Sequence, residues 1–312
     1  LWHDNWRRAA FAVLIAAAIA YVKGFKAPFY VMNFCVVALM LTRLCLLAFD
    51  RPHRRMARLT RHFETVTRGR IVLHFAPEIG ARTSAFDVLE RVESALIELE
   101  ILFAAKLGPH TRWPRIPSLP PRPLRVYLFP SGAAVNDCYH MVWGLHVEVG
   151  GFALPIWNSV VLTADDRILD ESIRHELTHL FTIRADPNSP PLFTEGLATW
   201  LQENIGGVPI HAIAARWPKA RHIRLRPLLD PKTFHRGPDR HASYVLAGSF
   251  TGYLLQRYGW PTYFAFYRQA VNGSLVRAKF RWYFGRRFED VEKDWRREVL
   301  AKFGSDVPVS AQ

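Results

Sequence analysis

The sequence predicts an α+β fold: a small mixed or antiparallel sheet, then a helical C-terminal half, preceded by a transmembrane hairpin. Three observations predict it. Two apolar runs, Ala9–Val22 and Ala27–Phe49, open the chain. Short segments rich in β-branched and aromatic residues then flank one long helical pattern up to about residue 165, and from there to residue 303 the pattern is almost wholly helical.

Composition narrows the class. With 312 residues, 50% of them hydrophobic and 22% charged, the chain has the means to bury a core and is not disordered. Lys and Arg outnumber Asp and Glu by 41 to 27, a net charge of +14 that favours anionic partners. Between Arg51 and Arg70 stand seven arginines and one acid, Glu64, directly after the second apolar run. That placement points to a lipid bilayer rather than to nucleic acid, for which no motif is present. Three cysteines are too few for a disulfide framework, and with no Cys-x-x-Cys pair a metal here would be held by His and carboxylate.

The elements follow in order. At 1.5 Å per residue the fourteen residues of the first run reach about 21 Å of a core about 30 Å thick, so it spans with help from Trp6, Arg7, Arg8 and Lys23; the second run spans outright. Two other readings of these runs stay open: a cleaved signal peptide ending near Ala18-Ile19-Ala20, or core helices. The arginines after Phe49 outweigh the lysines of the turn, which places the rest of an integral membrane protein on the cytoplasmic side. The expected organisation is residues 1–50 as two membrane segments (9–22 and 27–49), 51–70 as a basic linker, 60–304 as one domain and 305–312 as a tail.

Within the domain, RIVLHFAP (70–77), PLRVYLFP (123–130) and NSVVLTAD (158–165) read as strands, and 84–108 as a helix ending at Gly108. The proline-rich WPRIPSLPPRP (113–123) is a stiff connector. Helices are expected over 168–184, 192–204, 241–258, 260–271 and 286–303, with a polar connection over 205–240. GGFALPIW (150–157) reads as a flap or a turn, HIRLRPLL (222–229) as an exposed strand or cleft rim, and RWYFGRRF (281–288) as a turn between helices in preference to a headgroup-binding patch.

The chemistry sits in RHELTHLF (174–181). At about 100° per residue, Leu169, Ile173, Leu177 and Leu180 gather on one side of the helix while His175 and His179 share the other. Imidazoles at i and i+4 lie one above the other, which lets both bind one Zn²⁺. Glu176 points at the border of that face, placed to touch a metal-bound water. A catalytic zinc needs a third protein ligand, and the best candidate is Glu195 in PPLFTEGLATWLQE, near the start of an antiparallel helix opened by Pro190 and Pro191.

HELTH, FTEGLATW, SYVLAGSFTGYLLQRYG (243–259) and FEDVEKDW (288–295) together resemble the gluzincin metallopeptidases, most closely the peptidase MA-like domains. The resemblance covers about residues 60–303. It implies a thermolysin-like catalytic domain with one zinc ion, held by His175, His179 and Glu195. It also implies a peptidase acting on a peptide or protein substrate, with Glu176 as general base, and a cleft edged by the strand near 159–163; the apolar runs make it membrane-anchored, and the lack of an acidic motif to hold a substrate amine favours an endopeptidase. Tyr244, with His241 behind it, is the candidate oxyanion donor; a packed helix residue is the other reading of Tyr244. The chain departs from the family at Thr199, where an aspartate often supports a ligand, so Asp170 or Glu171 is the expected substitute. A non-peptide zinc hydrolase and an idle binding or scaffold protein are the alternative functions.

Overall fold

A computed structural model describes residues 53–79, 84–107, 122–146, 148–182, 189–217, 222–237, 239–270 and 275–305. Both apolar runs of the expected membrane hairpin lie outside them. Among the described residues no helix is long and apolar enough to cross a membrane. The longest, over 85–107, carries Asp87, Glu90, Arg91, Glu93, Glu98 and Glu100, charges whose burial in hydrocarbon costs several kcal/mol each. The described fold is therefore corrected to a mixed α+β domain without the hairpin, and the bilayer partner and integral-membrane location are withdrawn with it.

The chain divides into two compact units, one of residues 1–62 with 136–147 and one of 63–135 with 148–312. In the described part of the first, a helix over 53–59 is tied by Arg55, whose Nη1 donates to the Met141 and Val142 carbonyls at 2.9 and 3.3 Å. Met56 meets the buried Cys138 sulfur at 3.8 Å. Burial pushes the Cys138 thiol up to about 12, so it stays protonated and unreactive.

The second unit contains the sheet, of strands β1 (Glu64–Arg68), β2 (Ile71–Phe75), β3 (Leu124–Phe129), β4 (Gly151–Leu154) and β5 (Ser159–Thr163) in the spatial order β1-β2-β3-β5-β4. The three central strands β2, β3 and β5 are parallel, and each edge strand runs antiparallel to its neighbour. Parallel strands need a crossover, and α1 (Ala85–Leu107) supplies it between β2 and β3. Its buried stripe of Val88, Leu89, Val92, Leu96, Leu99 and Phe103 joins one core with the aligned rows Leu73, Val126, Val160 and Phe75, Leu128, Leu162. β5 lies inside the sheet and β4 forms the edge, which corrects the expectation that 159–163 borders a cleft.

After α2 (Gly132–Trp143) and the sheet come α3 (Leu169–Thr182) and α4 (Pro191–Leu201), a two-residue hairpin of β6 (Asn204–Ile205) and β7 (Val208–Pro209), and short helices α5 (Ile210–Arg216) and α6 (Pro231–Arg236). The expected polar connection over 205–240 is thus largely structured, and 226–229 within HIRLRPLL forms a 3-10 turn. α7 (Arg240–Tyr258) is buried around most of its circumference, from Ala242 to Leu255, as a central helix must be. Around it, α8 (Trp260–Tyr267), α9 (Leu275–Phe284) and α10 (Phe288–Trp295) bring Phe266, Phe280, Phe288 and Trp295 into an aromatic cluster with Phe250 of α7. Its ring centroids are 5.1 to 5.7 Å apart, the range of favourable edge-to-face pairs.

Candidate metal centre

α3 forms where Asp170 and Glu171 favour the helix N-terminus and Leu169, Ile173, Leu177 and Leu180 build a buried stripe. It is fastened at both flanks. Arg91 of α1 bonds Asp166 and Asp170, and Arg174 pairs with Glu98 while its Nε donates to the Leu201 carbonyl at 3.0 Å and its Nη2 to Glu203 at 2.8 Å. Arg174 thereby draws the C-terminus of α4 onto α3 next to His175. α4 starts at Pro191, whose missing N–H costs nothing at a first helical position, and carries Glu195 to the same place.

Three ligand atoms converge there. His175 Nε2 and His179 Nε2 are 3.1 Å apart, and Glu195 Oε2 lies 3.4 Å from the first and 3.2 Å from the second. These residues form a cluster that could hold a metal ion. Burial by itself would raise the Glu195 carboxyl, but the charge of His179 and hydrogen bonds from both imidazoles outweigh it and hold the group well below the usual carboxylate range. Glu176 is not one of the three. It is buried beside them, and burial pushes its carboxyl up to about 7, His175 opposing and the charge of Glu195 adding to the rise. Its Cγ and Oε1 press so close to Gly151 of β4 that a Cβ at that glycine would meet both at 3.3 Å and the Val161 carbonyl at 2.8 Å.

The ring of Tyr244 is centred 6.3 Å from that of His175, with its hydroxyl 3.4 Å from His235 Nδ1, whereas His241 is exposed. His235 was not foreseen. Burial lowers its pKa, Glu195 raises it, and Arg240 and His179 lower it further, so it belongs to the same electrostatic neighbourhood. Neither residue expected to replace the missing aspartate contacts a ligand in the described bonds: Asp170 is engaged by Arg91, and Glu171 accepts the Gly207 N–H at 3.2 Å. The residue that supports a ligand is Gln202, whose Oε1 is 2.8 Å from His175 Nδ1. Gln202 follows Glu195 by seven residues, two helical turns on the same face, and that spacing was a readable signal. Thr199, one turn after Glu195, and His179 Nδ1 are buried without a hydrogen-bond partner.

No protein-family model matches the chain, and no curated protein matches it. These findings correct the classification drawn from the sequence. The cluster comprises His175, His179 and Glu195 with Glu176 outside it, and no match ties the chain to the gluzincins. The assignment as a gluzincin metallopeptidase, with its peptide substrate, is withdrawn, and what stands is a mixed α+β domain with a candidate metal-binding triad.

Proposed function

We propose that this chain is a zinc-binding protein whose single metal centre is formed by His175 and His179 of α3 and Glu195 of α4. The convergence of the three ligand atoms at 3.1, 3.2 and 3.4 Å carries the reading. Ligands arranged tetrahedrally at 2.0–2.1 Å from a zinc ion stand about 3.3–3.4 Å from one another, so the described rotamers need almost no change to accept the ion. The donor set supports zinc as well, since two imidazoles and one carboxylate match its preference for nitrogen and oxygen ligands.

Structural zinc sites close with four protein ligands, and the cluster among the described residues has three, which supports a centre open to a further ligand. Zinc bound in such a site supplies Lewis acidity to that ligand. The chain's own groups complete the centre. Glu176 lies buried close to His175 and Glu195, where burial raises its carboxyl, and Tyr244 offers a phenolic hydroxyl backed by His235.

Metal content of the full chain, purified without chelator and measured by inductively coupled plasma mass spectrometry, tests the proposal. One zinc per chain is expected in the wild type and in Glu176→Gln, because Glu176 is outside the ligand set, and little or none in His175→Ala, His179→Ala or Glu195→Gln. A metal-free wild type overturns the proposal. Iron in place of zinc overturns the choice of metal, and loss of zinc from Glu176→Gln overturns the role given to that residue.

A further inference from the structure

We infer that Gln202 is the positioning residue of the metal centre: it accepts from His175 Nδ1, so that this nitrogen keeps its proton and Nε2, which faces Glu195 and His179, is the one left to bind a metal. The inference rests on the zinc-binding reading above and deepens it. An imidazole presents one donor and one acceptor when neutral, and the partner of the remote nitrogen decides which nitrogen is free to bind a metal. A glutamine amide can accept or donate, so Gln202 enforces one tautomer only if its own orientation is fixed.

That orientation is fixed from two directions. Gln202 Nε2 donates to the Asn204 carbonyl at 2.9 Å, and this engages the nitrogen end of the amide and leaves Oε1, at 2.8 Å, to accept from His175 Nδ1. A flipped amide would set Nε2 against His175 and Oε1 against a carbonyl, two acceptors face to face. The backbone makes the arrangement possible. Gln202 caps α4, Glu203 takes the left-handed conformation at φ +72°, and the chain doubles back so that the Asn204 N–H also bonds the Gln202 carbonyl at 2.9 Å. Glu203 is gripped by Arg174, the residue next to His175, so the turn carrying Gln202 and the helix carrying His175 are joined one residue away from the bond itself. The hairpin that follows is tied to α3 as well, through the Gly207 N–H and Glu171.

His179 sharpens the assignment by contrast. Among the described residues its buried Nδ1 has no hydrogen-bond partner, so the bond from Gln202 is the outer support that the pair has. Outer partners of this kind are worth about 10- to 100-fold in metal affinity.

The test uses the full chain with zinc alone as the probe. Zinc affinity by chelator competition is expected to fall about 10- to 100-fold in Gln202→Leu, which removes the acceptor at similar volume, and to fall less in Gln202→Glu, which keeps the acceptor for Nδ1 but loses the donor to the Asn204 carbonyl. Nitrogen-15 NMR of the metal-free protein reads the ring protons directly: a proton on His175 Nδ1 is expected in the wild type and in Gln202→Glu, whatever proton Nε2 shares with Glu195, and the Nε2-protonated tautomer is expected in Gln202→Leu. The d–d spectrum of the Co²⁺-substituted protein should shift in Gln202→Leu, a change that a general loosening of the fold with equal far-ultraviolet circular dichroism does not produce. Wild-type zinc affinity and an unchanged His175 tautomer in Gln202→Leu overturn the inference and leave the zinc reading intact. A wild type that takes up no zinc overturns both.

Discussion

His211 shows how much a single side chain can be decided by its surroundings. Nothing in IHAIAAR marks it as different from the other histidines. It is nevertheless buried between the rings of Trp200 and Phe303. Trp295 Nε1 donates to Ser249 Oγ at 3.1 Å, and the same oxygen lies at hydrogen-bond distance, 2.9 Å, from His211 Nδ1. Burial lowers the His211 pKa to about 4, a side-chain interaction with Gln256 opposing. The sign follows from proton binding: the unfolded chain takes up the proton near 6.5 and the folded chain only near 4, so the contribution to stability is complete above 6.5 and lost as pH falls from 6.5 towards 4. A shift of this size is worth about 3 kcal/mol. Urea unfolding at pH 7.5 and pH 4.5 should show a loss of that order in the wild type that His211→Gln largely removes; equal losses in both would refute the assignment. The candidate metal ligands were legible where this residue was not. His175 and His179 stand four apart opposite an apolar stripe, whereas His211 bonds Ser249, itself held by Trp295, both far away in the chain.

At the scale of elements, the centre depends on how closely α4 approaches α7. Gly196, Gly248 and Gly252 line the contact: a Cβ at Gly196 would stand 2.7 Å from the Ala247 carbonyl oxygen and 2.5 Å from Thr251 Oγ1, and one at Gly252 would enter the Trp200 ring. Gly196 follows the ligand Glu195 directly. In a helix interior Gly→Ala gains up to about 1 kcal/mol of propensity, but overpacking against backbone costs about 1–3 kcal/mol and here outweighs it. Gly196→Ala should therefore lower stability by about 1–2 kcal/mol and weaken zinc binding, while Gly132→Ala, whose Cβ would meet nothing within 4 Å, should stay within about 0.5 kcal/mol of the wild type. Denaturant titration with a parallel zinc competition measures both, and a neutral Gly196→Ala would contradict the packing argument. The three central strands and the helices α1, α3, α4 and α7 were readable because each keeps one apolar face or an apolar run, whereas α2 and α9, the latter overlapping the turn expected at 281–288, were not. Nor were the edge strands. β1, ETVTR, has no buried face and is a strand because β2 pairs with it, and β4 is four residues settled by its register against β5. The short helices α5 and α6 are likewise too brief for a periodic signal to stand out.

For the molecule as a whole, an ion bridging α3 and α4 would bind the folded chain and not the unfolded one. Zinc at 100 times its dissociation constant adds about 2.7 kcal/mol, which for a unit of this size raises the melting temperature by about 5–10 °C. Thermal unfolding with chelator and with added zinc should differ by that interval in the wild type and coincide in Glu195→Gln; a chelator-insensitive wild type would count against a metal shared by the two helices. The sequence by itself determined the two histidines on one helical face, the carboxylate that joins them, and the α+β order of strands before helices, because these follow from local periodicity and spacing. Its apolar runs suggested a membrane and its motif a peptidase, and neither survives among the described residues and the comparisons. Only the tertiary structure decided that β4 rather than β5 forms the edge, that burial poises Glu176 near 7, and that Gln202 supports His175. The physical reason is common to all three: sheet pairing, desolvation and hydrogen bonding between helix ends are set by neighbours distant in the chain, which no local pattern encodes.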